Sequence, residues 1–334
     1  MELNYIDCPS GSAETQLPVC IYGLHRLGDT LLLHSNDEIS AWDISNPLDI
    51  RQTGACPIDF CVPNSVLYDQ KLCLFYRNKM QPFDVSDLRN IHALTPVLFA
   101  ENIRSLDFDR EGTVWVVTEY GTVGAQTTDG KFTEHVPYKI HSGFGKLDIN
   151  RSRHIKTAGD LVIVAHQEYG VLIYRKNAGA RLELLTHITQ DSEICFEAPV
   201  TPVCGDQVLL FVSYLGITPV DARDVNTIKK SNRFKPKYEL WNMYGPGIID
   251  CGRSDELPEN THDILVYSEA NGNFELCLLE VSPAGITHRD SVQLKHRKFD
   301  GLIRRMFLKD NYLIFVGMSG HADRGAFEVY RITK

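Results

Sequence analysis

The chain has no long apolar run. Its longest uninterrupted stretches are short, such as LVIVA at 161–165 and VLLFV at 208–212, far below the roughly 18 apolar residues that a membrane span needs. Basic runs are as scarce. The densest are KHRK at 295–298 and the pair Arg304 and Arg305, on a chain of formal net charge −9. A broad cationic face for nucleic acid is therefore disfavoured. No CxxC occurs, and the nine cysteines are scattered and odd in number. The opening MELNYIDCPSG has neither a basic n-region nor an apolar h-region. Together these features predict a reducing cytoplasm, no membrane, and thiols that act mostly as small apolar residues. Catalytic signatures are missing too: there is no GxSxG, no HExxH and no Walker A. His135, His141 and His154 lie six and thirteen residues apart, which matches no local metal signature. Neither a metal nor a cofactor is expected.

What is present is a rhythm of period two. Hydrophobic residues make up 43% and charged residues 23%, enough for a large core in an ordinary globular chain. In EISAWDIS at 38–45 apolar and polar residues mix as in a strand. Upstream, DTLLLHS is a continuous apolar run with polar ends, the pattern of a strand buried on both faces. The tripeptide SND joins them as a tight turn, and a second turn at 45–48 leads into a further strand near 50–53.

The unit returns six more times. Its hairpins begin near 29, 71, 113, 160, 207, 263 and 311, which are 42 to 56 residues apart. Each is preceded by another strand candidate, near 19–24, 65–68, 103–108, 155–157, 200–203, 247–249 and 302–308. Four strands at that period are the signature of a propeller blade. The seventh unit supplies only three strands, while ELNYIDC at 2–8 is a strand without a unit. The expectation is an all-β, seven-bladed β-propeller spanning 1–334 as one domain, closed by the N-terminal strand pairing with the last blade. Two stacked sandwiches, or six or eight blades, are the alternatives.

Three phrases carry a resemblance: AWDISNPLDI at 41–50, PFDVSDLRNI at 82–91 and PVDARDVNTI at 219–228. They are similar to the LVIVD repeat of bacterial β-propellers, which implies the same fold and says little about function. The dipeptide Trp42–Asp43 resembles that of WD40 blades, but it occurs once and lacks the accompanying Gly-His. In all three phrases the aspartate (Asp43, Asp84, Asp221) is read as a turn-maker, because its carboxylate bonds backbone N–H groups just downstream.

Function is expected in the loops on one face: those between second and third strands, and those entering the next innermost strand. They contain Asp59, Arg104, His141, Trp241, Tyr244, Arg304 and His321, the candidate binding residues. Aromatic and arginine side chains suit a recognition surface. Arg104, Arg304 and Arg305 also suit a small anionic ligand, and only one of the last two can face the channel, since neighbours alternate along a strand. The leading expectation is a non-catalytic cytoplasmic binding module, a scaffold presenting one face to a protein partner. An inhibitor or immunity-type protein is its specialised form. The alternative is a propeller enzyme (hydrolase, lyase or isomerase) acting in the central channel through His141 and Glu197.

Overall fold

The computed structural model describes residues 2–6, 17, 21–59, 64–119, 122–126, 136–137, 152–166, 170–188, 201–213, 216–224, 229–237, 247–253, 257–258, 260–270, 273–294, 303–319 and 324–333. They form seven antiparallel sheets, whose strands follow sequence order in all but the last, which also takes in the N-terminal strand. Blade 1 spans 23–57, blade 2 64–98, blade 3 103–137, blade 4 152–188, blade 5 201–230, blade 6 248–294 and blade 7 303–333. In blade 2 the outer strand is broken into His92–Ala93 and Val97–Leu98, both pairing with Lys79–Asp84.

The second strand of each blade explains the packing. In Thr30–His34, Leu31 and Leu33 point into the core shared with blade 7, and Leu32 points into the core shared with blade 2. Successive side chains alternate across a strand, so one between two blades must be apolar on both faces. Seven such cores join every neighbouring pair, including blades 7 and 1. The ring is therefore a seven-bladed β-propeller. It closes as its sequence predicts: Glu2–Ile6 pairs antiparallel with Arg324–Thr333 as the outer strand of blade 7. Leu3 and Tyr5 pack into the core of blades 6 and 7, with the Tyr5 ring edge-on to Tyr330 at 5.5 Å.

Some boundaries differ from the sequence expectation. The innermost strand of blade 1 is Gly23–Leu27 rather than 19–24. Leu17 and Ile21 fill the core between blades 7 and 1 instead, and Leu17 bridges to Gly325. Apolar residues that plug a seam read like a strand in sequence. Trp42 is fully buried in the same core, edge-on to Phe327 at 5.5 Å, and its indole N–H donates to Ser40 at 3.0 Å.

The aspartates of the three phrases do make turns. Asp43 accepts from the Ser45 N–H at 2.8 Å, Asp84 from Ser86 at 2.8 Å and Asp221 from Arg223 at 3.1 Å. The Ser45 backbone N–H is the main reason the Asp43 carboxyl stays below its ordinary pKa. Cys73 and Cys277 are buried, and burial pushes both thiols up to about 12. They serve as apolar filler rather than as nucleophiles. Among the described residues the one helix is a turn at Ala178–Ala180, and no helix is long and apolar enough to cross a membrane.

Candidate functional site

A cavity of about 330 Å³ opens between the innermost strands of blades 1, 2, 3, 4 and 7. Strands from opposite sides of the ring meet there, so the cavity belongs to the central channel. Its lining is unusual for strands: His25, Ser65, Asp107, His154, Lys156 and Arg305 are all ionisable or hydroxyl-bearing. Of these only Asp107 is buried; the others are half-buried or exposed and face the channel.

The tightest group is built on blades 1 and 2. The Ser65 hydroxyl lies 2.7 Å from Nε2 of His25 and 2.8 Å from Nε2 of His34. The His34 ring is fully buried and stacks on Tyr22, with centroids 6.4 Å apart. Burial lowers its pKa to about 4, with the Ser35 backbone working weakly the other way, though no contact of hydrogen-bond geometry reaches Nδ1. His25 is held well below its ordinary value, first by burial and then by the charges of Arg305, His34 and Lys156. Both imidazoles are therefore neutral at pH 7.

Gly23 makes this group possible. A Cβ at that position would stand 2.2 Å from His34 Nε2 and 2.2 Å from Ser65 Oγ. Glycine inside a strand often marks such a close approach.

The charged half of the site comes from blades 3, 4 and 7. The Asp107 carboxylate accepts from Lys156 Nζ at 3.2 Å, from the Thr157 N–H at 2.8 Å and from the Thr157 hydroxyl at 3.1 Å. Its acceptor capacity is thus largely committed. Arg305 makes no such pair among the described residues; burial alone lowers its pKa. The side chain is nonetheless exposed to the water of the channel, so that lowering is slight in effect. Starting from a pKa above about 12, it stays charged.

A repeated backbone device aims these residues. In blade 7, residues 303 and 305 face the consecutive partners 317 and 316, so Arg304 is the extra residue of a bulge. The same shift occurs at 103 and 105 of blade 3 and at 152 and 154 of blade 4. The extra residues are Arg104, Arg153 and Arg304, one at the start of each innermost strand. A bulge re-aims the residues that follow it. After it, Ser105 and Asp107, His154 and Lys156, and Arg305 all line the cavity.

Two pairs of the expected loops adjoin among the described residues. The Ile58 N–H donates to Asp37 O at 2.8 Å and the Ile103 N–H to Arg77 O at 2.8 Å, tying the two sets of loops together. Asp59 and Arg104 are exposed there, and neither lines the channel cavity. Arg304 lies in Ile303–Lys309, with its side chain outside the described residues. His141, Glu197, Trp241, Tyr244 and His321 also lie outside them.

Sequence reasoning missed His25, His34, Ser65, Asp107 and Lys156. The available signal was polar residues at alternate positions in segments that otherwise read as buried strands. No group of three His, Cys, Asp or Glu among the described residues is arranged to hold a metal ion.

No family model matches the chain, and no curated protein matches it in sequence. The likeness to the LVIVD repeat rests on the three phrases alone. Solved structures do match. The chain is similar to BBS1N in a complex with ARL6DN, with a TM-score of 0.60, 12% identity, and coverage of 100% of this chain and 98% of that one. It is similar to BamB from Moraxella catarrhalis, with a TM-score of 0.54, 11% identity, and coverage of 100% and 98%. It is also similar to virginiamycin B lyase from Staphylococcus aureus, with a TM-score of 0.55, 12% identity, and coverage of 99% and 99%. At such identities the likeness is one of fold, and that fold serves both interaction proteins and an enzyme.

Proposed function

We propose that the protein is a propeller of one domain, residues 1–334, whose central channel binds a small anionic molecule. The carrying observation is Arg305, a guanidinium with no carboxylate partner among the described residues, inside a cavity of about 330 Å³. That volume is within the range of small-molecule sites, roughly 300–1,000 Å³. Lys156 adds a second cation whose own counter-charge, Asp107, is already bonded to Thr157. Guanidinium forks hold carboxylate or phosphate oxygens in pairs. Calorimetric titration with inorganic phosphate tests the reading. A hydrogen bond to a charged group contributes about 1.5–3 kcal/mol, so Arg305→Ala is expected to weaken binding roughly tenfold to a hundredfold.

A second reading, a rim that docks a protein, is supported by a patch on blade 2. Tyr76 is 47% exposed and Leu98 63% exposed, and both lie opposite Lys79. The Arg77 guanidinium sits 5.2 Å above the Tyr76 ring. Tyr and Arg are frequent anchors of interfaces, and BBS1N was solved with a protein bound. Affinity capture with the double variant Tyr76→Ala, Leu98→Glu should then lose the partner that the unaltered protein retains. Equal recovery would count against this rim.

A further inference from the structure

The channel holds more than charge. Ser65 sits between two neutral imidazoles, and a hydroxyl has one proton to give. If it donates to His25, the Nε2–H of His34 donates to it; if it donates to His34, the roles reverse. In either arrangement the Ser65 proton rests on an unprotonated imidazole nitrogen, at 2.7 or 2.8 Å. That is the geometry of a hydroxyl with its base in place. Gly23 is the second, independent observation. Any side chain at 23 would occupy the space through which Ser65 and His34 touch. Ser65 is half-buried and lines the same cavity as Arg305 and Lys156, so a molecule bound by those cations lies within the walls that Ser65 also forms.

We infer that Ser65 is a nucleophile, and that the channel hydrolyses an ester bearing a carboxylate or phosphate group, which Arg305 and Lys156 hold. The inference rests on the channel reading above. Ser65 Oγ bonds to the ester carbonyl carbon, and its proton passes to the imidazole Nε2. The ester C–O bond then breaks, and the leaving oxygen takes that proton. Water attacks the acyl-serine, releasing the acid and restoring the hydroxyl. Ester and water give acid and alcohol, with no oxidant, reductant or metal in the balance. The missing GxSxG is no obstacle, because here nucleophile and bases come from strands of different blades.

A fluorophosphonate probe, which phosphonylates activated serines, tests this on the full chain by intact mass and peptide mapping. The expected result is one adduct at Ser65. It should be absent in Ser65→Ala, shown to be folded by a cooperative melting transition, and form at least tenfold more slowly when His25 and His34 are both replaced by Gln. Lowered imidazole pKa values add a signature. Labelling should persist below pH 6.5, where an ordinary imidazole is already protonated, and fall as the pH approaches the His34 value of about 4. A folded protein that takes no label overturns the inference. So does an adduct that survives Ser65→Ala, or a rate unchanged in the double Gln variant. Phosphate binding separates the two claims. Binding that depends on Arg305 without labelling leaves the site and removes the chemistry; labelling with binding indifferent to Arg305→Ala does the reverse.

Discussion

At the scale of single residues, the channel is organised by groups whose neighbours decide their charge. His34 is fully buried with its pKa lowered from 6.5 to about 4. The unfolded chain therefore binds a proton between those values that the folded chain refuses. Its contribution to stability is complete above pH 6.5 and lost as the pH falls toward 4. Where only the unfolded state is protonated, one such group contributes a slope of roughly 1.4 kcal/mol per pH unit. His34→Gln removes the titration, so the melting midpoint of the variant should fall less than that of the unaltered protein between pH 6.5 and 4. Parallel curves for the two would show that His34 is not held neutral.

Residues are also where the sequence is hardest to read. Arg304 and Arg305 are adjacent, and alternation says that one of them faces inward without saying which. Arg305 lines the cavity just after a bulge at 304 that interrupts the alternation, and a bulge depends on the partner strand rather than on local sequence. Ser65 and His34 are 31 residues apart in the chain, and their contact needs a glycine at 23 that in sequence looks like an ordinary turn-former.

At the scale of elements, legibility was high. The continuous apolar run of Thr30–His34 and the mixed run of Glu38–Asp43 are the second and third strands of blade 1, because both faces of every second strand meet a neighbouring blade. The aspartate turns followed from side-chain chemistry alone and recur in three blades. The orphan strand Glu2–Ile6 was legible by count: seven units and one strand missing. What failed was the edge of elements, as at 19–24, where the strand begins only at Gly23 and Ile21 fills a seam. The closing strand gives a prediction. Removing residues 1–6 exposes the edge of Arg324–Thr333 and strips Leu3 and Tyr5 from the core of blades 6 and 7. Full burial of a large side chain contributes about 1.5–3 kcal/mol, and both of these are partly buried, so the loss is about 2–3 kcal/mol. The melting midpoint should drop by several degrees, and an unchanged midpoint would mean that the ring does not depend on this closure.

At the scale of the whole molecule, the ring brings together residues that no local motif connects. The innermost strands of blades 1, 2, 3, 4 and 7 each contribute one or two polar side chains, harmless in their own blades, and the ring turns them into a lined cavity. Repeat phrases and turns fix the frame, and the inner positions that differ between blades line the proposed site. The frame was therefore readable in the sequence, and the site was not.

The central claim is that this channel binds an anion through Arg305. Calorimetric titration of the purified chain with inorganic phosphate at low ionic strength tests it most directly, run beside Arg305→Ala and beside Arg51→Ala, whose exposed guanidinium pairs with Asp49 on the outer strand of blade 1. The account predicts saturable binding that Arg305→Ala weakens at least tenfold and Arg51→Ala leaves intact. No binding, or equal loss in both variants, would contradict it.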